Sequence, residues 1–175
     1  MIISKKHNFI YIGIYKTATT SIQKHLAGRL NPIRKPKIGT RFVPNIDDPI
    51  VDKDLIGGAN ETQEERHRDI LTAKKLYLED ETEENWDKLY IFSFVRNPFD
   101  LVLSHFNYKR KVIRKMLEKF PDKKLTTEQE LFLSLDFSDW VKEFGSINFM
   151  PNDHADQYSV LSDNDDKLLV DDIGR

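Results

Sequence analysis

Three groups of residues in this sequence stand where they could handle an anion or a proton. The first is Lys16-Thr17-Ala18-Thr19-Thr20-Ser21, one cation followed by small and hydroxylated residues, set just behind the apolar run Phe9-Ile10-Tyr11-Ile12. A loop of this kind between a strand and a helix aims backbone N–H groups and the first helical turn at a phosphate, and Lys16 adds a full positive charge. The second is Arg96-Asn97-Pro98, which follows another apolar run and opens a helical pattern. A guanidinium beside a helix N-terminus makes a further anion site. Ser104 lies seven residues past Asn97, close to two helical turns, and so on the same face. The third is His67, an imidazole that titrates near neutral pH and is suited to act as a general base. Glu64 and Glu65 are carboxylate alternatives beside it. Two anion sites at the ends of two parallel strands suit a ligand with phosphates at both ends.

The elements that must position these residues follow from pattern. Residues 8–14 read as a strand, reached within about eight residues of the N-terminus, too few for a signal peptide. Residues 20–30 read as a helix, because Ile22, Leu26 and Leu30 recur every four residues and Thr19 or Thr20 is available as N-cap. Pro32, Pro36, Pro44 and Pro49 break every helical window of the stretch 31–60, which Gly57-Gly58 closes. That stretch is expected to be a long loop, either functional or disordered. A helical pattern resumes from Glu61 with Ile70, Ala73, Leu76 and Tyr77 on one face. The acidic run Glu79 to Glu84 reads as a solvated junction, and Trp86 and Leu89 as a short helix.

Leu89 to Val95 is nearly continuous in hydrophobicity, as expected of a buried central parallel strand. A long helix is predicted to about Lys119, with Asn97 as N-cap, Pro98 at its first position, Asp100 in its first turn, and Val102 and Phe106 toward the core. Shorter helices are expected near 127–134 and 137–144, with Trp140 buried, then a loop after Pro151 and a late strand over Lys167 to Ile173. Strands alternating with helices predict an α/β fold with a parallel sheet.

Composition bounds the function. At 175 residues the chain reads as a single domain, 1–175, with one sizeable core. Its net charge of −2 argues against a nucleic-acid binder, which would be strongly basic. The local run Lys109-Arg110-Lys111-Val112-Ile113-Arg114-Lys115 is either a solvated helix face or a surface that steers an anion, with Tyr108 and Arg110 nearest the proposed site. No apolar stretch approaches the ~18 residues of a transmembrane helix. With 0 cysteines there is no disulfide, thiolate metal site or cysteine nucleophile, and a reducing, cytoplasmic compartment is expected. His7, His25, His67, His105 and His154 show no metal-ligand spacing.

The Lys16 loop differs from the nucleoside-triphosphate loop G-x-x-x-x-G-K-[ST]. Lys16-Thr17 matches its end, but Ile10 and Tyr15 stand where the glycines belong, and the small residues follow the lysine rather than precede it. His67-Arg68-Asp69 spells the protein-kinase catalytic triplet, yet Lys74 occupies the position of its Asn and no D-F-G follows.

The sequence instead resembles the sulfotransferases that use 3′-phosphoadenosine-5′-phosphosulfate (PAPS). Lys16 to Ser21 resembles their 5′-phosphosulfate loop. Phe92-Ser93-Phe94-Val95-Arg96-Asn97-Pro98-Phe99-Asp100, continuing to Ser104 and Tyr108, is similar to their 3′-phosphate element. The R-N-P followed by D-x-x-x-S is most similar to the carbohydrate branch. Leu71 to Leu76, Trp86-Asp87 and the tail Leu168 to Arg175 are similar to segments of bacterial members.

The resemblance implies a P-loop-like three-layer fold with a central parallel sheet flanked by helices. It implies sulfuryl transfer, in line, from PAPS to a hydroxyl or amine of a saccharide or related acceptor, leaving 3′-phosphoadenosine-5′-phosphate (PAP). Lys16 and residues 17–21 would hold the 5′ end, Arg96 and Ser104 the 3′-phosphate, and His67 would serve as base, with no metal. Relatives carry Gly where Ala18 stands. They also place their His at the position of Ile70, one helical turn beyond His67. They continue past the strand near Arg175 through a Phe-Glu pair and further helices, so a shortened C-terminus is expected. The alternatives are a P-loop kinase or NTPase, and a non-catalytic nucleotide-binding domain.

Overall fold

A computed structural model of the chain describes residues 1–30, 51–52, 54–57, 62, 67–143 and 156–175. These form a mixed α/β structure on a five-stranded sheet ordered β3-β1-β2-β4-β5. The strands are β1 (Ile2–Ser4), β2 (Phe9–Ile12), β3 (Ile56–Gly57), β4 (Tyr90–Phe94) and β5 (Asp172–Gly174). The helices among the described residues are α1 (Thr19–Leu30), α2 (Ile70–Tyr77), α3 (Glu83–Trp86), α4 (Pro98–Lys119), α5 (Thr127–Ser134) and α6 (Phe137–Glu143).

The expected parallel sheet holds at its centre and needs correcting at one side. Strands β2, β4 and β5 run parallel, with Ile12 opposite Ser93 and Phe94 opposite Gly174. Strand β1 is antiparallel to both β2 and β3. The reason is local: the link from Ser4 to Phe9 is a tight turn with Asn8 at φ 52, and so short a connection can only return the chain antiparallel. β1 is three residues long and too short to show a period in sequence. β3 lies inside the stretch 31–60 expected to be loop throughout. Most of that stretch lies outside the described residues.

Period-two alternation splits the sheet's side chains between two cores. Ile3, Ile10, Ile12 and Ile91 enter one cluster with Ile70, Ala73 and Tyr77 of α2, Trp86 of α3, and Val160 and Leu161. Ile2 and Tyr11 enter the other with Leu30, Leu55, Ile22 and Leu26, where Phe9, Phe92 and Phe94 also pack. Each fully buried Ile or Leu stabilises the fold by about 1.5–3 kcal/mol, so these clusters fix the strand ends that carry the loops. Helices therefore cover both faces of the sheet.

By contacts the chain divides into two compact units, Met1–Val95 with Asp156–Arg175, and Arg96–Ala155. The second holds α4, α5 and α6 around Phe106, Ile113, Phe132 and Trp140. Its local signals agree with the sequence: Pro98 opens α4, and Asn97 accepts from the Phe99 amide. Thr126 and Gln129 close a capping box on α5. Trp140 is buried as expected.

Two further expectations are corrected. Of the helical pattern expected from Glu61, residues 61 and 63–66 lie outside the described residues, residues 67–69 are not helical, and α2 begins at Ile70, where Asp69 caps it by accepting from the Thr72 amide at 2.7 Å. The late strand is Asp172–Gly174, not Lys167 to Ile173. Leu169 and Val170 instead pack on the α2-side cluster, and Leu169 donates to Leu161 O. The acidic run is a junction, tied by Lys74 to Glu83 at 2.7 Å and Lys5 to Asp80 at 3.4 Å. No helix among the described residues is long and apolar enough to cross a membrane.

Candidate functional site

β2 ends at Ile12, and the loop that follows is held by side chains rather than by sheet or helix bonds. Thr17 Oγ1 donates to Ile14 O at 2.9 Å, and Thr19 Oγ1 donates to the same carbonyl at 2.5 Å. The two hydroxyls lie 3.3 Å apart, and the buried Tyr11 hydroxyl donates to Thr19 Oγ1 at 3.3 Å. Burial holds the Tyr11 phenol above its ordinary range, against the opposing pull of its bond to Thr19, so it remains a neutral donor.

The expectation that Thr19 or Thr20 caps α1 is therefore corrected. Thr19 is the first helical residue, and its hydroxyl is turned away from the helix to Ile14. The helix starts from Ala18 O, which accepts from the amides of Ser21 at 2.9 Å and Ile22 at 3.1 Å. The N–H groups ahead of these are the ones every helix leaves without an intrahelical acceptor. No acidic residue stands in the first turn to neutralise its positive end.

The backbone of the loop alternates in hand. Lys16 and Ala18 both have φ 62, with Thr17 between them outside that region. Alternation of this kind turns successive N–H groups to one side and forms a concave anion nest. A non-glycine residue in the left-handed region costs about 1 kcal/mol or more, so this conformation is held at a cost by the bonds around it. The residue types fit a phosphate or sulfate: amides and an ammonium are donors, and the threonine oxygens that would repel an anion are occupied with Ile14. Lys16 is half-buried, its Nζ 5.9 Å from the centre of the Tyr15 ring.

His67 is brought to this loop. Its Nδ1 lies 2.8 Å from Gly13 O, and its ring meets that of Tyr15 edge-on at 5.4 Å. A carbonyl only accepts, so Nδ1 carries the proton, and in the neutral ring the basic nitrogen is Nε2. The expectation that His67 lies one turn back on the helix of Ile70 is corrected, since residues 67–69 precede α2. Its link to the site is the strand end at Gly13. Glu64 and Glu65 lie outside the described residues.

Arg96 and Ser104 belong to the second unit. Arg96 is exposed immediately before the Asn97 cap, and Ser104 is half-buried on α4. The N-terminus of α4 differs from that of α1: Asn97 Oδ1 already accepts from Phe99, and Asp100 puts a negative charge in the first turn. An anion here would depend on the Arg96 and Ser104 side chains more than on the helix end. In the basic run, Arg110 is turned into the helical core, donating to Leu133 O at 3.3 Å with its guanidinium 5.1 Å from the Phe106 ring centre. Lys111, Arg114 and Lys115 form a solvated face.

Sequence reasoning missed Ser93 and Tyr11. Ser93 is 1% exposed and donates to Ile12 O at 2.8 Å. A serine among the large apolar and aromatic residues of the central strand was its signal, because a buried polar group needs a partner.

A family model described as "Sulfotransferase family" matches residues 1–169. The chain belongs to the sulfotransferase family, and its reaction class is transfer of a sulfuryl group. No curated protein and no solved structure matches it.

Proposed function

We propose that this protein transfers the sulfuryl group of PAPS to a hydroxyl or amine of a saccharide or related acceptor. The observation that carries the reading is the loop Lys16 to Ser21. It combines a nest with alternating φ, a helix N-terminus without acidic residues and one lysine, in a chain of the sulfotransferase family. The P-loop-like character of the fold is part of the same proposal, supported by the parallel β2-β4-β5 core with helices on both faces.

PAPS, when bound, supplies the sulfuryl group on a phosphate that can leave. The amides of residues 17–20 and the Lys16 ammonium stabilise the negative charge that gathers on that phosphate, an electrostatic effect strongest when the donors are fixed beforehand. Thr17, Ala18, Thr19 and Thr20 contribute through their backbone, and Ser21, whose amide is bound to Ala18 O, through its exposed hydroxyl; Thr17 and Thr19 use their hydroxyls to shape the loop. Arg96 and Ser104 are assigned the 3′-phosphate on the strength of their motif. His67 takes the acceptor's proton at Nε2, the nitrogen left basic by the bond from Nδ1 to Gly13 O. The scheme uses no metal. The absence of cysteine suits a reducing compartment, and cytoplasmic residence belongs to the reading.

The test is transfer of labelled sulfate from PAPS to a panel of saccharides, with Lys16→Ala as control. Transfer that falls at least 100-fold in Lys16→Ala, by analogy with removal of one oxyanion donor, is the predicted result. No transfer to any saccharide by the unaltered protein would overturn the acceptor assignment.

A further inference from the structure

Three consecutive carbonyls at the end of β2 are each bound by a side-chain donor. Ile12 O accepts from Ser93 Oγ at 2.8 Å, Gly13 O lies 2.8 Å from His67 Nδ1, and Ile14 O accepts from both Thr17 and Thr19. Such anchoring has an electrostatic sense. A backbone that presents N–H groups to an anion must keep its carbonyl oxygens turned elsewhere, since these repel negative charge. From Gly13 on, where the chain has left the ladder, only specific donors can fix that orientation. The donors come from different parts of the chain: β4, the segment before α2, the loop itself and the first residue of α1.

We infer that Ser93 is a positioning residue of the phosphate loop, setting its carbonyl direction from β4 without touching the ligand. The inference rests on the anion-binding reading of that loop. Ser93 sits opposite Ile12 across the parallel β2–β4 pair, so its hydroxyl reaches the last carbonyl of β2 from the neighbouring strand. That carbonyl stands four residues before Lys16 and two before the carbonyl on which Thr17 and Thr19 converge. Fixing it limits the rotation available to the peptide planes beyond, which must reach left-handed φ at Lys16 and Ala18. Ser93 also stands three residues before Arg96, so one strand end carries both the arginine and the anchor of the lysine loop.

The experiment compares Ser93→Ala with Ile10→Val, a substitution in the buried core of the same β2 strand. Amide hydrogen exchange of residues 13–21 is measured without ligand, and PAP affinity is measured by calorimetry. Ser93→Ala is expected to speed loop exchange and weaken PAP binding about five- to tenfold, the scale of one hydrogen bond. Ile10→Val is expected to do neither at comparable thermal stability. If the alanine variant does not fold, Ser93→Cys, close in size with a weaker donor, should shift both readouts in the same direction. Loop exchange in the Ser93 variant no faster than in Ile10→Val would overturn the inference, as would unchanged affinity for PAP. Failure of the unaltered protein to bind PAP would instead refute the proposed donor, and loop exchange would still decide the role of Ser93.

Discussion

His67 carries two possible duties that its two ring nitrogens separate. Nδ1 bonds the Gly13 carbonyl and so belongs to the architecture of the loop. Nε2 is the basic atom of the neutral ring and is the one the proposed chemistry uses. An asparagine at this position can place an amide N–H near where Nδ1 stands but offers no base. His67→Asn is therefore expected to bind PAP within about twofold of the unaltered protein while transfer falls about 10²–10⁴-fold, the range of general-base catalysis. His67→Phe should lose both. Equal loss of binding in the two variants would reduce His67 to an anchor, and retained transfer in His67→Asn would place the base elsewhere. Ala18 shows the same dependence on surroundings. At φ 62 it occupies a conformation that glycine adopts freely, and the Thr17, Thr19, Tyr11 and Ser93 hydroxyls keep the loop in shape around it.

The elements that carry the proposed site are strand ends, and β4 is fixed at its C-terminal end by β5. The Val95 amide donates to Gly174 O at 2.9 Å, and the Phe94 ring lies across Gly174 so closely that an added Cβ would sit 2.4 Å from Phe94 Cε1. Gly174→Ala must displace that ring, and overpacking of this kind costs about 1–3 kcal/mol. Urea unfolding should show the loss, and shortening the ring in Gly174→Ala/Phe94→Leu should recover part of it. Additive losses in the double variant would rule out the contact as the cause.

Strong local signals were legible in sequence: Asn97-Pro98 placed the start of α4, and the four-residue spacing of Ile22, Leu26 and Leu30 the packed face of α1. The Lys16 loop was legible as the link between β2 and α1, because its residue types act locally, and its anion-binding role is the proposal built on it. What escaped depends on distant partners. Ser4 to Asp52, a buried 2.5 Å bond, Ser93 to Ile12 and His67 to Gly13 join residues that no periodicity links. β1 and β3 are too short to alternate. Thr19 satisfied the sequence rule for a cap, yet tertiary contact with Ile14 and Tyr11 claimed its hydroxyl.

At the scale of the whole molecule, the chain is a sulfotransferase-family protein whose two units each carry part of the proposed donor chemistry. Lys16 and His67 are in the first unit, Arg96 and Ser104 in the second. The family fixes sulfuryl transfer; the identity of the donor is the central claim. It follows from the loop's departure from the triphosphate-binding pattern and from the arginine-serine motif assigned to a 3′-phosphate. A ligand that binds the native state raises thermal stability by mass action, so donor preference can be read without knowing the acceptor. The direct measurement is a thermal-shift titration with PAP, ATP and GTP, the latter two with Mg²⁺. PAP is predicted to stabilise the protein most, with the shift lost in Lys16→Ala and reduced in Arg96→Ala. Greater stabilisation by ATP or GTP with Mg²⁺ would contradict the account.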